Sequence, residues 1–585
     1  MSKNLLNITL VIDIFILFII MSVVYSSATQ IDKNYIIPFT LGNTLYVGGD
    51  GPGNFTRIQD AIDHAYDGDT IFVYNGTYKE HITIDKQINL FGEDRNNTII
   101  HGQNEPNKDI VYMIANQVHI RGFCIKYSGE FSTGLTCVDC SYNIISDCNL
   151  LYHQQRTIYL LRSSYSIIEN CEIKDSNTGI LVSEEQSDHN TISDCYISTE
   201  RVALDLSSSH NKVLNCILKE GMNIHWGSNN TILNCHISND DGSLCIQMGY
   251  TSNNKLRNNT LKNGGIIFNV NFPYEYYHDI DTSNTIDGRP IYYILEDKNR
   301  EFNETMDIGY IGLISCKNIS VKNLFLQGAV LGNTSFTTIE NCSFYENLLG
   351  IDIGLSTNNI VTNCDFSTYN SIRIRKSSNN FVSDCRMLKG GESGVSVDIN
   401  YYSSKNNISY CSISNFDIGI IIGGESSDNN IIGCNISYND YWGVWLSSSE
   451  NKITKNRMRY NADSGIWILS TTSNIISNNF IESNSKGIYC VDSSSNKILY
   501  NNLENNDYGI FFEESHNNII NNNNFLKNKL RDAFFINEGF SNFRNMWNGN
   551  YWGRLRIFPY PIFGKILFIP WVQLDWYPAK VLYDI

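Results

Sequence analysis

Basic residues are scarce: Lys and Arg number 43 against 60 Asp and Glu, and the formal net charge is −17. That balance argues against nucleic acid and anionic membrane surfaces as partners, because both are gripped through their phosphates by clustered cations. It leaves room for a divalent cation such as Ca²⁺, although no residue pattern calls for a cofactor. Proline is scarce too, at nine residues in 585, and the long runs of helix formers that helical solenoids need are absent. No second CxxC accompanies Cys137-Val138-Asp139-Cys140, which excludes a four-cysteine zinc site built on such pairs. With 42% hydrophobic and 18% charged residues the chain is not a disordered polymer. Long hydrophobic runs are missing except for one, Ile8 to Val24, broken only by Thr9, Asp13 and Ser22 and followed by Ser26-Ser27-Ala28. Residues 1–28 read as a secretory signal cleaved after Ala28, or as an uncleaved anchor and then the membrane attachment. Either way the expectation is export, to the periplasm, cell surface or extracellular space.

What the sequence has in abundance is repetition. Gly443-Val444-Trp445-Leu446, Gly465-Ile466-Trp467-Ile468, Gly487-Ile488-Tyr489-Cys490 and Gly509-Ile510-Phe511-Phe512 are copies of one phrase, its glycines 22 residues apart. Short alternating strands separated by Asn, Ser and Gly at such a period specify a β-solenoid, with one coil per repeat. Alternation places Ile466 and Ile468 inside and Trp467 outside. The same phrase suggests inward pairs at Val202/Leu204, Ile224/Trp226, Leu244/Ile246 and Val395/Val397. A second column carries Cys in Asn170-Cys171, Asn215-Cys216, Asn234-Cys235, Asn341-Cys342 and Asn363-Cys364, and is expected to pass to Asn456, Asn478, Asn501 and Asn523. Ladder neighbours about 4.8 Å apart exceed disulfide reach, so most of the sixteen cysteines read as buried free thiols.

Thr56 is placed to cap a short helix over Ile58, Ala61, Ile62 and Ala65, which would shield the first coil. Tyr46-Val47-Gly48-Gly49, Ile58-Gln59-Asp60-Ala61-Ile62, Gly68-Asp69-Thr70-Ile71, Gly76-Thr77-Tyr78 and Ile120-Arg121-Gly122-Phe123 resemble the opening of NosD-like proteins of the carbohydrate-binding and sugar-hydrolase (CASH) group. The resemblance covers most of 45–528 and implies an all-β, single-stranded right-handed parallel β-helix. The divisions expected are cap and first coils at 45–102, coils at 103–265, an insertion at 266–310, coils at 311–528 and an aromatic cap or tail at 529–585. Asn284-Thr285-Ile286-Asp287-Gly288-Arg289-Pro290 is similar to a segment that interrupts the coils in that group.

Candidate chemistry lies on the outward column, read coil by coil as Asp352, Arg373, Ser396, Ile421, Trp445, Trp467, Tyr489 and Phe511. Trp445, Trp467, Tyr489 and Phe511 form an aromatic patch of the kind that grips the apolar faces of sugar rings, unless the aromatic tail covers it. Asp352 with Arg373, and Arg375 with Asp398, read as surface ion pairs of little energy. Polygalacturonase chemistry needs clustered acids with a Gly-His-Gly and an Arg-Ile-Lys motif. Here Asp240-Asp241 is present, Gly-His-Gly is missing, and Arg373-Ile374-Arg375 lies many coils away. The resemblance also carries a copper association, for which His189 and His210, in equivalent turns, are the weak candidates. The leading expectation is an exported β-helix that binds polysaccharide or envelope glycan. A polysaccharide lyase or hydrolase and a structural or copper-associated envelope protein are the rivals. The sequence does not name the oligomer.

Overall fold

The computed structural model describes residues 42–240, 242, 244–345, 348–389, 394–539 and 544–585. The 1–28 segment and Asp241 fall outside the described residues. One short helix, Ile58–His64, precedes an almost unbroken succession of short strands. Each strand pairs in parallel with its counterpart one coil on, so the chain winds into a parallel β-helix with three walls. The helix buries Ile58, Ala61 and Ile62 over the first coil. Its cap is Glu80 of the next coil rather than Thr56: the Glu80 carboxylate accepts the Ile58 and Gln59 amides at 2.9 and 3.1 Å, satisfying donors that the helix itself leaves open.

The coils form two stacks. In the first, one wall runs from Thr44–Val47 to Asp279–Ile280, another from Ile82–Ile84 to Gly265–Asn269, and a third from Gly76–Tyr78 to Thr285–Ile286. The segment 266–310 is therefore a junction rather than an insertion, since Asp279–Ile280 and Thr285–Ile286 still pair with the preceding coil. The chain then reverses at Asp287-Gly288, whose φ angles are 44° and 82°, the two-residue hairpin that Asp-Gly favours. Thr285 pairs antiparallel with Pro290, and the second stack starts from there. Its walls begin at Arg289–Leu295, Glu301–Phe302 and Phe325–Leu326.

The end of the first stack is closed by the flank of the second. Ile311, Leu313 and Leu331 face into the second core, while Tyr310, Ile314 and Val330 from the same strands join the first. Tyr310 Oη donates to the Ile266 carbonyl at 3.1 Å and Tyr293 Oη to the Tyr276 carbonyl at 2.6 Å. Open backbone at a sheet end is thereby covered.

Two columns explain the repeated phrase. A Cβ on Gly465 would lie 2.8 Å from the Gly487 carbonyl oxygen and 2.5 Å from Ile481 Cγ2, so glycine gives these coils their close approach. The polar column is an asparagine ladder: Asn479 Oδ1 accepts the Asn456 amide at 2.9 Å, and Asn479 Nδ2 donates to Ile453 O at 2.8 Å and Asn501 Oδ1 at 2.9 Å. The ladder residue is Asn479, not Asn478, which sits in the adjoining turn at φ 57°. In the upstream coils Cys takes this place, and all sixteen cysteines are buried free thiols. Register slips of two residues correct three inward pairs, to Leu204/Leu206, Ile246/Met248 and Val397/Ile399, and the fourth to Met222/Ile224. Trp226 is exposed.

Each ladder needs a terminator, because the last backbone N–H must find an acceptor. In the first stack His278 serves, its Nδ1 accepting the Asn254 amide at 3.3 Å while Nε2 lies 3.0 Å from the Glu275 carbonyl. That pattern requires neutral imidazole. Burial pulls His278, and likewise His153, down to about 4 from 6.5. The unfolded chain then takes up protons that the folded chain refuses as pH falls from 6.5 to about 4. Stability is full above the upper limit and decreases through this window by up to ~3 kcal/mol per histidine. Melting temperature should fall accordingly, with His278→Gln removing part of the slope; a flat profile over this range would refute the assignment.

At the far end the coils continue past 528, since Arg531–Asn537, Met546–Asn548 and Tyr551–Trp552 pair with the coil before. A hairpin of Tyr560–Ile566 with Ile569–Asp575 follows. Gln573 accepts the Asn545 amide at 3.2 Å, and Asp575 accepts the Asn550 amide at 2.9 Å and Trp552 Nε1 at 3.1 Å. The ladders stop there with their donors satisfied.

Candidate functional site

The wall that begins at Arg289–Leu295 carries the outward column. Strand pairing aligns Asp352 with Arg373, Arg373 with Asp398, Asp398 with Ile421 and Ile421 with Trp445. It continues from Trp445 to Trp467, Tyr489, Phe511 and Phe534. Asp398, not Ser396, occupies the third place; Ser396 is fully buried. Sequence reading missed Phe534, whose strand follows a longer coil, and the flanking Trp442 and Tyr508.

Five rings thus stand in consecutive register, each half-buried. Trp445 and Trp467 stack at 5.3 Å with planes 23° apart, Trp442 lies 4.2 Å from Trp467, and Tyr489, Phe511 and Phe534 follow at 5.3 and 5.6 Å. Lys486 sits 4.6 Å over the Tyr489 ring and pairs with Asp463 at 2.6 Å. Tyr489 Oη donates to Glu513. Burial, reinforced by that carboxylate, pushes the phenol above its ordinary range. The indole nitrogens of Trp445 and Trp467 are buried without a protein partner, unspent donors in a surface otherwise built of flat faces. The tail does not occupy this wall at its end: Tyr583 donates from its backbone to Asn524 Oδ1 at 3.1 Å and from its hydroxyl to the Gly549 carbonyl at 2.7 Å, and Asn524–Leu526 belongs to another wall.

The head of the column is ionic, and it is not a surface feature. Asp352 is 3% exposed. It accepts Arg373 at 2.8 Å and Arg375 at 2.9 Å, and both guanidinium groups also donate to the Phe268 carbonyl of the first stack. Burial pushes the Asp352 carboxyl up, but the two guanidinium charges outweigh it and hold it below the usual range. Arg373 and Arg375 therefore tie the stacks together. Asp398 differs: burial raises its pKa, and its Oδ1 has no protein partner. Asp240 is exposed on the turn after His236–Ser238.

His189 and His210 do come together, with rings parallel within 6° at 5.1 Å, and Asp188 lies 3.2 Å from His189. With Asp188 they bring three ligand atoms within 4.8 Å of one another, a grouping of the size that can hold a metal ion, although stacked parallel rings must turn before both nitrogens meet one ion. Tyr142 and Tyr165 extend the same ring stack, which makes it a turn-lining column.

No curated protein matches the chain. Among solved structures, Geobacillus virus E2 ORF18 is similar at 16% identity over 53% of this chain and 57% of that one, with a TM-score of 0.31. The periplasmic alginate epimerase AlgG is similar at 12% over 61% and 75%, with a TM-score of 0.26. The pectin methylesterase of Yersinia enterocolitica is similar at 15% over 37% and 82%, with a TM-score of 0.25. The model of the right-handed β-helix region matches residues 133–285, 309–424 and 418–551, more than half the chain and coils from both stacks, and the protein belongs to that right-handed β-helix family.

Proposed function

We propose that this is an exported protein that binds a polysaccharide along the Trp445–Phe534 wall. The observation that carries the reading is the unbroken register of five half-exposed rings on one wall. A long ligand with repeating apolar faces lies against the ring faces, and its hydroxyl edges remain in solvent. Polysaccharide binding by affinity electrophoresis tests this. Trp467→Ala should weaken retention about tenfold, the effect of losing one central aromatic anchor. If Trp445→Ala combined with Trp467→Ala retains glycan as the parent does, the wall is structural and the proposal fails.

A second reading, a carbohydrate-active enzyme, has one observation in its favour. Asp398 stands in the same column, where burial raises its pKa and one oxygen lacks a protein partner, a shift in the direction that general acids show. Release of reducing ends or unsaturated products, abolished by Asp398→Asn, would establish it over binding alone.

A further inference from the structure

Where the two stacks meet, their turn columns enclose a cavity of about 380 Å³, within the range of roughly 300–1,000 Å³ typical of small-molecule sites. From the first stack come Trp226 and Tyr250, in equivalent turns and stacked at 4.4 Å. From the second come Arg375, Lys376 and Tyr401, and Tyr276 of the junction also lines it. Trp226 is 69% and Tyr401 55% exposed, so aromatic surface is open on both sides.

The polar groups have a sign. Tyr276 Oη and Arg375 Nε are buried without a protein partner, and Tyr276 itself is 0% exposed. A guanidinium N–H only donates, and a phenol held above its ordinary pKa range by burial keeps its proton to donate. Lys376 adds a cation, shared at 2.6 Å with Asn271 Oδ1. No Asp or Glu lines the cavity, in a chain whose net charge is −17. His225 and the Gln247 and Asn269 amides also line it, and amides match hydroxyl groups as both donors and acceptors.

We infer that this junction cavity is a binding site for an acidic sugar unit, its carboxylate held by Arg375, Lys376 and Tyr276 and its ring set against Trp226, Tyr250 or Tyr401. The site shares no residue with the Trp445–Phe534 wall and stands whether or not that wall holds polysaccharide.

Ligand-observed NMR titration of the full chain with glucuronate, galacturonate, glucose and acetate tests it. At least one uronate should bind about tenfold more tightly than glucose or acetate, and Trp226→Ala and Lys376→Gln should each weaken it severalfold to tenfold. Both replaced side chains lie at the surface, so the fold is expected to survive, and circular dichroism checks that. Trp445→Ala and Trp467→Ala should leave uronate binding unchanged, which separates this site from the wall. Equal binding of glucose or acetate, no uronate binding at tens of millimolar, or full affinity in Trp226→Ala would overturn the inference.

Discussion

Asp352→Asn should destabilise the protein by about 3–5 kcal/mol at neutral pH, the cost of removing one partner from a buried ionic group. The exchange is nearly isosteric, so packing is not what changes. Arg373 and Arg375 would keep the Phe268 carbonyl and one neutral amide oxygen, and two like charges would face each other with Asp398 as the remaining nearby carboxyl. The folded carboxyl is held below its ordinary value of 3.8. Its contribution is therefore fully present above that value and is lost as pH falls through the lower folded value. The difference between parent and variant should persist down to about pH 4 and shrink below it. Because the cluster joins the stacks, hydrogen exchange should quicken first around Phe268 and in the strand Asn370–Arg375. A triple change, Asp352→Leu with Arg373→Met and Arg375→Met, should recover much of the loss, since a buried ionic group can be replaced by apolar packing. Unchanged exchange at Phe268 in Asp352→Asn would show that the arginines do not fasten the junction.

The second large effect is expected at Asn479. Replacement by Ala would strand the Asn456 amide and the Ile453 carbonyl, both of which now bond to its side chain, and would interrupt the run toward Asn501. At roughly 1–3 kcal/mol for each of the two buried groups left without a partner, the loss is on the order of 2–6 kcal/mol. Asn478→Gly is the control. That residue has φ 57° in an exposed turn, which glycine adopts without strain, so its stability should match the parent within about 1 kcal/mol. Denaturant unfolding of the two variants reads the difference; equal midpoints would mean that the ladder carries no net stability.

The pairing of Asn478 with Asn479 also shows how far sequence reading reaches in a solenoid. The period, the glycine column and the four rings at Trp445, Trp467, Tyr489 and Phe511 are legible because side chains at those places repeat. Which of two adjacent asparagines turns inward is not legible, since one supplies the left-handed turn and the next the ladder, and composition is the same for both. The column misassignment at Ser396 has a similar cause. Gly394 imitates the glycine of the phrase, yet pairing sets Val395 against Ile418 and Val397 against Ile420, which puts Ser396 in the glycine column opposite Gly419. Small residues satisfy that column's steric demand, so glycine alone did not mark it.

The junction was beyond such reasoning altogether. Gly312, Val330 and Asp352 stand on the outside of their own coils, where alternation assigns them to solvent. Only the Asp287-Gly288 reversal turns that face toward the first stack, and nothing in a local pattern states which distant surface a hairpin will deliver. Arg373 and Arg375 consequently read as exposed charges when they are among the most confined in the chain.

The satisfied far end gives the coil count a meaning of its own. With Gln573 and Asp575 closing the asparagine columns and the Asp287 corner fixing the near end, a duplicated repeat slipped in between would disturb neither terminus. Each such copy would bring its own ring and lengthen the track by one step of about 4.8 Å. The molecule is thus a ruler graduated in whole repeats, and its reach along a ligand could be changed by duplicating or deleting a coil, without any new chemistry.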